Sequence, residues 1–288
     1  MNVQMLNGWY FFWIIISIAV FIGLYYLLRK KSERVKRTVL AALLFFALAL
    51  HFLKALFPPY SLNTETLYRD IWFINICAAN ICLFPFLFLS KSETAHDYMF
   101  YLGVLSGIAA TLYPTEPLGK ADQMAELLDV IRFYVHHGLL WIVPLLMVVL
   151  GLHKLSYRRT LRVLPCFMAV LLFIMVNQAL QSELGFVALR GDEMLEIGYR
   201  NNSFIWGPDE SGLGDFLLSL CPSVFKTVPV GAYAGEPKVW PWFWLWCPAA
   251  VLFIPPSFLL CMIFDGRAFI SDIRTLGAKI RGMLKRKT

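Results

Sequence analysis

GWYFFWIIISIAVFIGLYYLL (residues 8–28), followed at once by RKKSERVKR (29–37), is the stretch that decides what kind of fold this chain adopts. It holds 21 residues without a charge, and at 1.5 Å per residue a helix of that length crosses the roughly 30 Å hydrocarbon core of a bilayer. The basic block follows the apolar run, and only a short uncharged head precedes it. A cleaved signal peptide has the opposite order, with charge before the apolar region and a small-residue site after it. The segment therefore reads as a retained first span with the N-terminus outside and Arg29–Arg37 in the cytoplasm.

The rest of the composition agrees. Of 288 residues, 59% are hydrophobic and only 16% charged, against about half and about a quarter in soluble domains. Nine Trp and twelve Tyr suit a protein whose spans end in interfacial aromatic rings. The formal charge of +7 is no signature of nucleic-acid binding, because the basic residues sit beside apolar segments. That placement suits orientation signals and contacts with anionic lipids, above all at the basic tail. There is no C-x-x-C and no zinc-finger spacing. Cys77, Cys82, Cys166, Cys247 and Cys261 lie in or beside apolar segments and need no disulfide, whereas Cys221 falls outside them.

Working outward, apolar segments near span length fall at 8–28, 38–57, 71–89, 99–114, 131–151, 163–182 and 241–263. The expected architecture is all-α: one polytopic domain over 1–288 with seven transmembrane helices, N-terminus outside and C-terminus cytoplasmic. The inner connections 29–37, 90–98, 152–162 and 264–288 then carry 18 of the 26 Lys and Arg. Loop 183–240 carries 4 basic and 8 acidic residues, as expected outside. GVLSGIAA (103–110) presents Gly103 and Gly107 for close helix approach. VWPWFWLW (239–246) reads as an aromatic belt, and Pro255–Pro256 as a kink or break in the last span. From Asp265 on, Ile270, Ile273, Leu276, Ile280 and Leu284 recur as on a helix lying on the inner leaflet.

Orienting the spans aligns polar residues from different segments. His51, Cys77, His137 and Asn177 all fall about 8–9 Å below the outer boundary at 1.5 Å per residue. Asn80 lies one turn from Cys77, Asn75 is nearer the surface, and His136 and Gln178 adjoin the layer. Polar groups at such depth need partners or water, so the layer is either an outward-facing cavity or a hydrogen-bonded network holding the bundle together. A Cys within reach of a His has specific chemistry. The imidazole removes the thiol proton, and the thiolate attacks an ester carbonyl and stores the acyl group as a thioester. The same His then deprotonates a lysolipid hydroxyl or water, while nearby Asn side chains or the Tyr134 hydroxyl stabilise the oxyanion. Phospholipid ester carbonyls lie at this depth, which makes a lipid the natural substrate.

At these residues the chain resembles the YwaF family of integral membrane proteins, whose animal branch includes Cys/His phospholipid acyltransferases. WFINICAANICLFP (72–85) is similar to the family's L-P-L-H-L-C element, with Cys77 on the motif Cys and Pro85 on the Pro eight residues beyond. YVHHG (134–138) matches F-x-x-H-G with His137 and Gly138. NNSF (201–204) with GLGDFLLSL (212–220), and VWPWFW (239–244), resemble two later elements. The resemblance implies a membrane-embedded acyltransferase or transacylase acting on glycerophospholipids and lysophospholipids. Cys77 would be the nucleophile and His137 the base, supported by Asn80, Asn177 and Asn201, with no cofactor and no metal. Two positions depart from the pattern: the family His is Asn75 and the preceding Pro is Phe73, so if that His assists in relatives, this chain either uses His51 or His136 instead or has lost the activity. The microbial branch is the closer match overall, which implies a bacterial cytoplasmic membrane; a eukaryotic endomembrane is the alternative. Competing readings of the same cavity are a transporter or small-molecule receptor, a zinc site on His51, Cys77 and His137, and a purely structural role.

Overall fold

The computed structural model describes residues 2–58, 60–62, 67, 71–73, 75–118, 124–185, 202–208, 212–228, 230 and 234–285. Among these the chain forms eight α-helices and no named strand: α1 (Gly8–Leu28), α2 (Glu33–Leu53), α3 (Ile76–Leu89), α4 (Glu93–Leu112), α5 (Met124–Val149), α6 (Thr160–Glu183), the short α7 (Gly212–Ser219) and α8 (Trp246–Lys285). Side-chain caps start four of them. Asn7, Ser32, Asn75 and Ser92 each accept a hydrogen bond from the backbone N–H three residues on, satisfying a donor that has no partner inside the helix.

Five helices are long and apolar enough to cross a membrane: Gly8–Leu28, Glu33–Leu62, Leu127–Val149, Tyr157–Glu183 and Phe243–Ile280. The protein is thus a multi-pass, all-helical membrane protein. Of the other two expected spans, α3 is apolar but only 14 residues long. The apolar run from Ile71 had predicted an earlier helix start, but Asn75 is extended (φ −136°, ψ 168°) and caps a helix that begins at Ile76. α4 has 20 residues, and its first turns carry Glu93, His96 and Asp97. Outward-facing side chains agree with a lipid surround: Phe11, Phe12, Ile15, Ile18 and Ile22 on α1 are exposed.

α5 is the central helix and packs against α1, α2, α3 and α4. Its closest approach is to α4, where the sequence offers glycines. A Cβ at Gly103 would stand 2.3 Å from the Leu140 carbonyl oxygen, and one at Gly107 would stand 2.8 Å from that of His137. The small-residue face therefore brings two backbones together. At the opposite side of the bundle from the cavity described below, Asp97 is wholly buried. Its carboxylate accepts from His153 Nε2 (2.7 Å) and Arg159 Nε (2.6 Å), tying α4 to the connection between α5 and α6. Lys36 and Arg37 donate to the Leu150 and Leu152 carbonyls at the same level.

Two expectations about the last span change. The segment before it does not simply line the interface: Trp244 is fully buried and donates to the Phe204 carbonyl (3.0 Å), and Trp242 donates to that of Met168 (2.8 Å). Of the kink or break expected at Pro255 and Pro256, the break does not occur: α8 continues as one helix into the tail. Tyr157 and Arg158 hold that continuation through Asp265 and Asp272. The exposed Ile270, Ile273, Leu276 and Ile280 lie on it.

Gly103→Ala is expected to cost about 1–3 kcal/mol, because the contact it creates is with backbone that cannot rotate away. Asp97→Ala should cost about 1–3 kcal/mol, because the buried His153 loses its acceptor while Arg159 keeps Glu93. Both are read from the unfolding transition of purified protein in detergent; an unchanged transition for Gly103→Ala would mean that α4 and α5 part freely.

Candidate functional site

The end of α2, the start of α3 and the N-terminal half of α5 enclose a cavity of about 510 Å³. His51, Cys77, His136 and His137 line it, together with Lys54, Tyr60, Trp72, Asn75, Glu116 and Arg132. α5 contributes most because Arg132, Phe133, His136 and His137 recur at the three- and four-residue spacing of one helical face.

Arg132 organises the mouth of this cavity. Its guanidinium donates to Asp129 Oδ1 (2.8 Å), Glu116 Oε1 (2.6 Å) and the Tyr60 hydroxyl (3.0 Å), and a further N–H reaches His136 Nδ1 at 3.3 Å. Its ring-facing side lies 5.4 Å from the Tyr60 centroid, with Lys54 Nζ 4.9 Å from the same ring. A buried cation is tolerated only with such pairing.

The adjacent histidines are held in opposite tautomers. Arg132 can only donate, so His136 Nδ1 accepts and Nε2 carries the proton. A carbonyl can only accept, so His137 Nδ1 donates to Phe133 O (2.9 Å) and leaves Nε2 as the basic nitrogen. The His137 ring also packs on Phe133 at 4.1 Å between centroids. His51 donates from Nε2 to the Ile71 carbonyl (3.1 Å), and its ring lies 5.9 Å from that of His136.

Cys77 occupies the first turn of α3. The Ile76 N–H donates to Ser203 Oγ (3.0 Å) and the Ala78 N–H to Asn75 Oδ1 (2.8 Å). Ser203, at φ +69°, belongs to the NNSF segment far along the chain. That segment therefore ends up capping the helix that carries the cysteine.

The residues expected at the site divide. Cys77, His137, His51, Asn75 and His136 line the cavity. Asn80 is buried away from it and accepts from the Tyr98 hydroxyl (2.7 Å). Tyr134 stacks on Trp13 (4.8 Å) and faces a separate apolar crevice between α1, α2 and α5. Asn177 accepts from the indole of Trp72, so it supports a lining residue without reaching the cavity itself. Gln178 accepts from Trp206 Nε1 (2.8 Å). Asn201 lies outside the described residues. The sequence reading missed Arg132, Glu116, Tyr60 and Ser203; the spacing of Asp129, Arg132 and His136 in DVIRFYVHHG was the available signal for the first.

Among the described residues no group of three or more His, Cys, Asp or Glu side chains is placed to hold a metal ion. All six cysteines are free thiols, and burial raises the pKa of Cys221, which favours its protonated form.

Residues 4–206, which contain every described residue of the cavity, match the family model described as TMEM164 family. No curated protein and no solved structure matches the chain.

Removing the cap of α3 tests how firmly Cys77 is held. Asn75→Ala should cost about 0.5–2 kcal/mol, and Asn75→Asp should restore most of it, since either carboxylate or amide oxygen caps the turn. The measurement is the unfolding transition in detergent.

Proposed function

The chain belongs to the TMEM164 family of membrane proteins, and from that premise we propose that it is an acyltransferase or transacylase acting on membrane glycerophospholipids through Cys77 and His137. The observation that carries this reading is that both side chains line one cavity while the Phe133 carbonyl keeps His137 Nε2 unprotonated. The YwaF resemblance and its acyltransferase branch supply the chemistry.

In the first half-reaction His137 Nε2 takes the Cys77 thiol proton, and the thiolate attacks the ester carbonyl carbon of a phospholipid. Collapse of the tetrahedral intermediate breaks the ester C–O bond, and His137 returns the proton to the departing lysolipid oxygen. In the second, His137 deprotonates an acceptor hydroxyl, of a lysophospholipid or of water. The new oxygen attacks the thioester and the C–S bond breaks, restoring the thiol. Lys54, Arg132 and Glu116 around the same cavity suit a charged headgroup.

The reading includes a membrane disposition of seven helices, with α3 and α4 crossing alongside the five long ones and the cavity facing outward. It also includes contact of anionic lipid with the tail beyond Asp265, where exposed isoleucines alternate with Arg267, Arg274 and Lys279. The bacterial cytoplasmic membrane is the proposed location. The receptor or transporter reading uses the same cavity, and no separate observation favours it.

Intact-protein mass spectrometry after incubation with defined phospholipids tests the chemistry. Wild-type protein should gain a hydroxylamine-labile acyl mass when acceptor is withheld, and Cys77→Ala should gain none. Stoichiometric lipid binding with no acyl adduct on folded wild-type protein would instead favour a receptor. Protease protection of terminal tags in sealed vesicles should cleave the N-terminal tag from outside and the C-terminal tag only after permeabilisation.

A further inference from the structure

We infer that the cavity contains a two-donor oxyanion hole, formed by the Nε2–H of His136 and the backbone N–H of Cys77. This rests on the acyl-transfer reading and assigns a catalytic role within it that neither the family match nor the sequence motifs supply.

The two donors are left open by separate local causes. In the first turn of α3, Ser203 takes the Ile76 N–H and Asn75 takes that of Ala78. The intervening Cys77 N–H precedes the helix's own acceptors and has no partner among the described residues. By covalent geometry it lies beside the Cys77 sulfur, where the oxygen of a tetrahedral adduct would develop charge. His136 is 1% exposed, yet its Nε2 has no hydrogen-bond partner among the described residues. Leaving a buried donor unpaired is unfavourable, so its retention in a cavity wall points to a ligand atom that accepts from it. Arg132 fixes the proton on that nitrogen by donating to Nδ1 on the other side of the ring.

The other candidates for this task stand elsewhere. Asn80 and Asn177 accept from Tyr98 and Trp72 and do not line the cavity, and Tyr134 faces the apolar crevice. The division of labour is therefore between neighbours: His137 moves the proton, and His136 stays neutral and donates a hydrogen bond. When the Cys77 sulfur adds to the ester carbonyl, the carbonyl π electrons move onto oxygen and the thiol proton resides on His137. Both donors strengthen toward that oxygen, and neither gives up its proton. Arg132 is a positioning residue, acting through His136.

Single-turnover thioester formation by His136→Phe and His136→Gln separates this role from packing. His136→Phe should slow the saturated rate about 10²–10³-fold, the typical loss for one such donor, with little change in the lipid concentration giving half the maximal rate. His136→Gln keeps an N–H donor and should recover part of the loss. A folded His136→Phe that forms the thioester at the wild-type rate overturns the assignment, as does equal slowing in both variants. A phospholipid analogue bearing a trifluoromethyl ketone in place of the ester gives a second readout. Its addition to Cys77 forms a hemithioketal, and binding should weaken in His136→Phe by the factor lost in rate. Wild-type protein that forms neither thioester nor hemithioketal removes the Cys77 chemistry altogether; wild-type reaction matched by His136→Phe removes only the oxyanion hole.

Discussion

A guanidinium buried near one end of a membrane bundle must find all its hydrogen-bond acceptors within the protein, and the arrangement of that end follows from how Arg132 does so. Asp129 comes from the preceding turn of α5, Glu116 from the segment after α4, and Tyr60 from the 3₁₀ turns after α2. Three parts of the chain thus converge on one cation, and the space beneath them is the cavity. One of the two remaining N–H groups selects the tautomer of His136. Pairing that makes a charge tolerable in low dielectric also orients an imidazole, so structural and chemical roles share the same atoms.

Two adjacent histidines on one helix would be expected to behave alike, and they do not. Their Nδ1 atoms meet groups of opposite character, a guanidinium for His136 and a carbonyl for His137. The difference needs no difference in residue type, only in what stands one turn earlier. The small residues of α4 add to this: Gly107 abuts the His137 carbonyl, so helix spacing helps to set where the basic nitrogen stands.

How much could be read in advance depends on which physical signal each feature leaves. α1 was legible, because an uncharged run of its length followed by a basic block has few other readings. His51, Cys77 and His137 were grouped by their expected depth, and the three line one cavity. Depth says nothing about azimuth, however. Asn80 and Tyr134 share the level but turn toward Tyr98 and Trp13. The start of α3 was illegible from hydropathy, since Phe73 and Ile71 are as apolar as any span residue; only the capping habit of Asn75 marks the boundary. Arg132 escaped notice because it lay at the expected edge of a span, where a charge excites no question. The contact of Ser203 with α3 joins segments 127 positions apart, and no local pattern announces it.

The unbroken course of α8 has a mechanical meaning. A helix of 40 residues is about 60 Å long at 1.5 Å per residue, twice the hydrocarbon thickness. Its C-terminal part is therefore continuous with the apolar part, and the contacts of Tyr157 and Arg158 give that continuation a fulcrum. Tilting within the bilayer and displacement of the tail become one motion, as the two arms of a lever share one angle.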